Sequence, residues 1–275
     1  MPAPHLDATM APVAAFSRDI ASEVTVDTLS RGRVTLLQPA RGFRSSLDPV
    51  LLAAFIGPPI GRFVDIGCGT GALAFLLAVA DDEASGVGVE IQPRLALLAS
   101  AGLARNPFAH RLEVLHADVR TTAGRPPLLA GSFDVVATNP PYRAVSAGQP
   151  SPDPERAQAN HEVSLTLNEW LDAATLLVKP TGRVAAIYPA DRMPELLSGL
   201  RRRRLAPTRL RLVRPRDNQP ASRVLVEARV SGESLALVHE PPLVVHEESP
   251  GGYSREVRGM LGELPPPWGA RAPGW

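Results

Sequence analysis

An apolar stretch ending in Val64-Asp65-Ile66-Gly67-Cys68-Gly69-Thr70-Gly71 leads directly into Ala72-Leu73-Ala74-Phe75-Leu76-Leu77-Ala78. A strand, a glycine-rich turn and a helix in that order leave few architectures open. Glycine tolerates φ > 0 and lets backbone amides approach a ligand closely, and the N-terminus of the following helix favours an anionic group. Nineteen residues after Gly71, a second apolar run, Gly86-Val87-Gly88-Val89-Glu90-Ile91, ends on an acid. A carboxylate there is placed to accept both hydroxyls of a ribose. Strand-like and helix-like segments then keep alternating, the pattern of a parallel sheet with helices on both faces.

The glycine spacing alone does not choose the nucleotide. Gly67-x-Gly69-x-x-Ala72 also meets the dinucleotide fingerprint, so NAD or FAD is a rival ligand. Two features argue the other way. Asp65 stands two residues before the first glycine, where a carboxylate can meet the ammonium of an amino-acid ligand. Further on, Phe133-Asp134-Val135-Val136-Ala137 runs into Thr138-Asn139-Pro140-Pro141-Tyr142. Prolines fix φ and restrict the residue before them, so a short polar side chain and backbone carbonyls are aimed rigidly at one spot. Asn139 Oδ1 and the Pro140 carbonyl suit an exocyclic amine, and Tyr142 can stack on the ring that bears it. A dehydrogenase has no need of such a clamp. Between these motifs, Leu112-Glu113-Val114-Leu115-His116-Ala117-Asp118 ends on a carboxylate placed to read an adenine amine.

With 275 residues and 44% apolar content, the chain can bury one sizeable α/β core plus an appendage, or two small domains. Its single cysteine excludes an internal disulfide and a cysteine metal cluster, consistent with a reducing cytosol. Cys68 reads as a small filler of the glycine loop. The N-terminus lacks the charged and apolar regions of a signal peptide, and no apolar run approaches the roughly 18 residues of a membrane span. The expectation is a soluble, cytoplasmic protein with no membrane partner. Net charge is only +1, but residues 192–216 hold nine arginines against one acid, Glu195. Such a patch is the footprint of phosphate contacts, with Arg202, Arg203 and Arg204 as candidate RNA contacts.

Residues 1–22 are Ala/Pro-rich and read as a flexible arm, and residues 263–275 as a disordered tail. Between them, 23–262 reads as a single domain: a hairpin and helix over 23–60, a core sheet over 61–230, and a C-terminal extension over 231–262, where the tail from 231 on reads as strand and helix. Val24 to Leu37 reads as a hairpin turning at Ser30-Arg31-Gly32. Leu47 to Phe55 reads as a helix with Pro49 in its first turn, where the missing N–H is harmless. Helices are expected over Pro93–Arg105, His161–Val178 and Pro194–Arg204, and a strand over Gly182–Tyr188. The connection between Leu210–Val213 and Val224–Val230 is too short for a crossover helix, so these strands should pair antiparallel. Ala144 to Pro154 is a Ser/Gly/Pro loop suited to closing over a substrate.

Together the glycine motif, Glu90, Asp118 and Asn-Pro-Pro-Tyr resemble a class I S-adenosylmethionine (SAM) methyltransferase. That resemblance implies a Rossmann-like α/β fold with a seven-stranded, mostly parallel sheet, an antiparallel last strand and helices on both faces. Asp27-Thr28-Leu29, Gly32-Arg33-Val34, Gly42-Phe43-Arg44 and Leu47-Asp48-Pro49-Val50-Leu51-Leu52 look like the corresponding segment of bacterial valine-tRNA adenine-N6 methyltransferases. So do Pro220-Ala221-Ser222-Arg223-Val224-Leu225-Val226-Glu227 and Gly252-Tyr253-Ser254-Arg255-Glu256. The resemblance covers roughly residues 25–262. It implies that Gly67, Gly69 and Gly71 line the SAM site, that Glu90 holds the ribose and Asp118 the adenine, and that Asn139, Pro140 and Tyr142 hold the target amine. Asp48 reads either as helix initiator or as a residue near the methionine end of SAM. Asn160 stands where this family usually carries Arg before His161, and it reads as a helix N-cap.

The reaction implied is in-line methyl transfer from SAM to an exocyclic amine, most naturally adenine N6 in tRNA, with no metal required. The alternative within the same chemistry is a glutamine N-methyltransferase acting on a translation factor. That enzyme normally carries an N-terminal helical substrate domain, for which the roughly sixty residues before the first core strand are too few. From another class, a non-catalytic SAM- or dinucleotide-binding protein is the third reading.

Overall fold

A computed structural model describes residues 23–42, 44–140, 165–231, 235–247 and 252–263. The expected arm (1–22), the tail beyond Glu263, Tyr142, the loop 144–154, Asn160 and His161 lie outside the described residues. The chain begins with an antiparallel hairpin of β1 (Val24–Leu29) and β2 (Val34–Pro39). Ser30 and Arg31 take positive φ at its tip, followed by Gly32, at the turn read from the sequence. Buried Asn106 clamps this hairpin to the body, accepting from Thr35 N (2.8 Å) and donating to Thr35 O (2.9 Å). Helix α1 (Asp48–Ile56) follows, with proline in its first turn.

The main body alternates β3 (Arg62–Ile66), α2 (Ala72–Ala80), β4 (Ser85–Glu90), α3 (Pro93–Leu103), β5 (Leu112–His116), the single turn α4 (Val119–Thr122) and β6 (Phe133–Thr138). It continues with α5 (Leu167–Leu177), β7 (Val178–Pro189), α6 (Met193–Arg202), β8 (Leu205–Arg214), β9 (Arg223–Val230), β10 (Val238–Val244) and α7 (Arg255–Met260). The sheet order is β10-β8-β9-β7-β6-β3-β4-β5. All neighbours pair parallel except β9, which runs antiparallel to both β7 and β8 as the short connection required. All nine residues of α2 are buried, as expected of a helix apolar on every side. Helices α1 and α2 pack on one face of the sheet, and α5 and α6 belong to the core on the other.

The sheet has eight strands, not the expected seven. The additional one, β10, comes from the C-terminal extension and adds parallel to β8 at the edge. The strand and helix expected in this tail are present, but Pro241-Pro242 interrupts the strand and the register shifts between Glu240 and Leu243, so its joining the main sheet is not legible in the sequence. Proline is tolerated at an edge or bulge, which is where these two sit. A second difference concerns α5, whose described helical residues begin at Leu167. Thr166 and Glu169 form a reciprocal capping box there: Glu169 N donates to Thr166 Oγ1 and Thr166 N to Glu169 Oε2. That pair satisfies two of the otherwise orphaned backbone donors and fixes the start. Among the described residues no helix is long and apolar enough to cross a membrane.

Candidate functional site

The carboxyl ends of the parallel strands open on a cavity of about 460 Å³, within the size range of small-molecule sites and at the edge of the sheet where α/β folds bind ligands. Gly67 and Gly69 follow β3, Glu90 ends β4, Asp118 follows β5, and Asn139 and Pro140 follow β6; all six line the cavity. Asp48, from outside the sheet, lines it too.

The glycine loop is held open by its neighbours. Gly67 N and Cys68 N both donate to Val89 O, at 2.8 and 3.0 Å. Gly67 has φ +74°, and a Cβ there would meet no atom within 4 Å, so the position leaves room over the loop. Gly71 serves a different purpose. Its φ is +91° and a Cβ would lie 2.7 Å from the Phe75 ring, so only glycine lets α2 start against that ring. Gly71 and Asp65 do not line the cavity. Asp65 is buried beneath the loop and accepts from Ala74 N at 3.2 Å. Burial, with the nearby charge of Glu90, pushes its carboxyl up to about 7 against the one lowering hydrogen bond.

Glu90 accepts from Gly69 N and Gln92 N, both at 2.8 Å, which ties the glycine loop to the start of α3. Burial raises its pKa, opposed by these backbone bonds. Each carboxylate oxygen keeps a lone pair for a further donor. Asp118 caps α4 and is gripped by the Arg120 guanidinium (Nη2 to Oδ2, 2.7 Å), which holds its carboxyl below the usual range. Burial pushes the Cys68 thiol up. A filler, not a nucleophile, is what that environment suits.

On the β6 side, Thr138 Oγ1 donates to Ile66 O at 2.9 Å and is fully buried. This bond pins the end of β6 to the end of β3, so Asn139 and the glycine loop share one frame. Asp48 Oδ2 receives Arg223 Nε at 3.2 Å, a link across 175 residues that joins α1 to the start of β9 beside the cavity. Arg44 pairs with Asp27 at 2.5 Å and Ser45 N donates to Gln38 Oε1 at 2.6 Å, so the hairpin carries segment 44–48 to the cavity wall. Sequence reasoning gave no role to Arg44, Arg223, His246 or Tyr253, all of which line the cavity. The signal lay in the family-like runs around Arg44, Arg223 and Tyr253, where no chemistry had been assigned.

The arginine cluster sits elsewhere. Arg202, Arg203 and Arg204 precede β8, whereas the cavity is lined by Val213 and Pro215 at its far end. Ten strand residues separate them, about 30 Å. Arg203 bonds Asp172 at 2.6 Å and the Gly199 and Asn168 carbonyls, and Arg202 bonds Ser198.

The family described as "Methyltransferase small domain" matches residues 48–151. Among curated proteins, the chain is 33% identical over 238 residues to a tRNA1(Val) (adenine(37)-N6)-methyltransferase of Porphyromonas gingivalis, covering 84% of this chain and 91% of that one. It is 28% identical to the enzyme so named in Aliivibrio salmonicida, over 78% of this chain and 87% of the relative. Among solved structures, a predicted O-methyltransferase of Agrobacterium tumefaciens aligns with TM-score 0.61 at 24% identity, over 78% of this chain and 95% of that one. TYW2 of P. horikoshii, in complex with MeSAdo, aligns with TM-score 0.54 at 17% identity, over 77% and 72%. At those identities the structures speak for the fold alone. The extent and level of the sequence match, on a cavity built from the motifs above, mean that this chain belongs to the tRNA1(Val) (adenine(37)-N6)-methyltransferase family.

Proposed function

We infer that the protein transfers a methyl group from SAM to N6 of an adenine in tRNA, with adenine 37 of tRNA1(Val), the acceptor in its relatives' name, as the specific target. The observation that carries this reading is that Asn139 and Pro140 open on the same cavity as Gly67, Gly69, Glu90 and Asp118. The residues fit SAM by the chemistry of the set. Two carboxylates are available for hydroxyls and an amine, and Gly67 leaves space over the loop. Residues 23–262 are read as one methyltransferase unit, working in the cytoplasm where its substrate is found.

When bound, SAM supplies an electrophilic methyl group on a sulfonium. An adenine amine is a weak nucleophile because its lone pair is delocalised into the ring. Acceptor bonds from Asn139 Oδ1 and the Pro140 carbonyl favour pyramidalisation of that nitrogen and so return the lone pair to it. Thr138, bonded to Ile66, keeps those acceptors in register with the glycine loop. Tyr142 is assigned the stacking role from the sequence. Fixed orientation and preorganised dipoles then supply most of the acceleration. The target base must leave its stack, which suits an anticodon loop.

A methyl-transfer assay offering bulk tRNA and, separately, protein acceptors tests the reading. Methyl incorporation into tRNA, recovered as N6-methyladenosine, is expected. Incorporation into protein glutamine, or none into tRNA, overturns it.

A further inference from the structure

The aromatic pair His246 and Tyr253 lies in a part of the cavity wall to which the reaction as derived assigns nothing. The two residues form an isolated antiparallel bridge, and their rings stack with centroids 5.2 Å apart and planes 18° from parallel. The backbone is anchored on both sides. His246 N donates to Pro215 O at 3.0 Å, Glu247 N to Gly252 O at 3.1 Å and Ser254 N to Val245 O at 2.8 Å. His246 is half-buried, while Tyr253 is 36% exposed and is the only aromatic among the exposed large apolar side chains of the described residues. Neither ring belongs to the buried clusters of the core. A pair that merely filled the interior would not leave the outer phenol ring facing solvent at a cavity mouth.

The surroundings indicate what covers that ring. Beside the pair, Arg216 Nη1 donates to the Glu247 carbonyl at 2.7 Å, and no carboxylate pairs with its guanidinium among the described residues. Unlike Arg209 or Arg211, it therefore keeps its charge available for a phosphate. The pair also stands apart from the expected cofactor carboxylates. Glu90 and Asp118 stand at the β4–β5 side of the cavity, whereas His246 and Tyr253 stand at the β8–β10 side, with Asn139, which follows β6, between them in the strand order. A flat ring face beside an uncompensated arginine is the combination that binds a single-stranded nucleotide: stacking for the base, charge for its phosphate.

We propose that Tyr253, supported from beneath by His246, stacks on the nucleotide flanking the adenine to be methylated, and that Arg216 contacts its phosphate. The inference rests on the tRNA methyltransferase reading and adds a positioning site to it. A loop base splayed from its stack brings its neighbour with it. Holding that neighbour fixes the register in which the target amine reaches Asn139.

The test uses the full-length protein, SAM, tRNA1(Val) transcript, and the same anticodon stem-loop with 2-aminopurine next to the target adenine. Tyr253→Ala should raise the KM for tRNA roughly five- to hundredfold, the loss of one stacked base. SAM affinity and melting temperature should stay at wild-type values. The 2-aminopurine fluorescence, quenched on binding wild type, should stay bright with Tyr253→Ala and be quenched again with Tyr253→Phe, which keeps the ring. Tyr253→Leu, which keeps apolar bulk, should behave like alanine while guarding against loss of folding. Arg216→Ala should shallow the dependence of log K on log salt by roughly one phosphate. An unchanged KM and unchanged quenching in Tyr253→Ala overturn the proposal, as does a fall in kcat with KM unchanged. Wild-type protein that leaves tRNA unmethylated overturns the transferase reading itself, so the two failures are told apart.

Discussion

Asp65 joins acidity to stability beside the cavity. Its carboxyl is buried beneath the glycine loop, and the hydrogen bond from Ala74 N at 3.2 Å does not offset its desolvation. Its pKa therefore rises from 3.8 to about 7. A raised folded-state pKa means that the folded protein holds this proton more tightly than the unfolded chain does. Its contribution to stability is fully present below about pH 4 and is lost as pH climbs towards 7. A span of about three pH units at about 1.36 kcal/mol each sets a ceiling of roughly 4 kcal/mol.

Asp65→Asn removes that titration. The amide oxygen can still accept from Ala74 N, but the amide nitrogen adds a buried donor, a cost of roughly 1–3 kcal/mol. The variant should thus be less stable than wild type near pH 4.5. It should draw level or become more stable by pH 8, where the wild-type carboxyl is charged. Relief of the repulsion on Glu90 acts in the same direction. Urea unfolding of both SAM-free proteins across pH 4.5–8 measures the difference directly. Its slope should reach up to about 1.4 kcal/mol per pH unit below pH 7 and flatten above. A difference that stays constant across this range would refute the argument, because it would mean that Asp65 titrates alike in the folded and unfolded chains.

Glu90→Ala should weaken SAM binding by roughly 1–3 kcal/mol, the range for losing a buried polar partner, as read by calorimetry; unchanged affinity removes Glu90 from the site. Asn139→Ala should cut turnover at least about a hundredfold, as for a lost transition-state contact, while SAM affinity holds, and full activity would end the amine-clamp reading. Gly71→Ala should destabilise by roughly 1–3 kcal/mol, since a Cβ meets the Phe75 ring at 2.7 Å and φ is +91°. Its melting curve checks this. Replacing Arg202, Arg203 and Arg204 together should leave the salt dependence of tRNA binding parallel to wild type and lower the melting temperature through the lost Arg203–Asp172 pair. A shallower slope would instead put RNA on that face.

What could be read from the sequence was local. The strand–glycine–helix unit, Glu90 at the end of β4 and Asn139-Pro140 after β6 are short motifs whose backbone requirements travel with them. The antiparallel pairing of β8 and β9 followed from chain length between the strands alone. What could not be read depends on partners far apart in the chain. Asp48 meets Arg223 only because α1 and β9 converge. His246 faces Tyr253 only once β10 has joined the sheet beside β8, a pairing that the prolines in the strand conceal. Asp65 was expected near a ligand ammonium because a carboxylate two residues before a glycine loop has two directions open to it. The register of β3 points it under the loop, towards the N-terminus of α2.

The arginine-rich stretch shows why charge density along a sequence is a poor guide to the field around a fold. Nine arginines against one acid over 192–216 would make a strong phosphate-binding surface if each pointed into water unpartnered. Folding brings acids to three of them from elsewhere, and two more pair with an acid three residues along the chain. Glu227, only 2% exposed, receives Arg209 from β8 and Arg183 from β7. Arg209 also reaches Glu240 on β10 at 2.7 Å, Arg211 pairs with Glu256 on α7, and Arg203 with Asp172 on α5. These pairs join elements: they fasten the edge strand and the last helix to the sheet, and α6 to α5. Half-buried ion pairs have already given up much of their hydration to one another, and exchanging such a partner for a phosphate leaves the acid unpaired. The charge that remains for RNA is therefore set by what each arginine lacks in the fold. By that criterion only Arg203 of the run of four is taken by an acid; Arg216, bonded to a carbonyl, differs from Arg201, Arg202 and Arg204 in standing beside the exposed Tyr253 ring at the cavity.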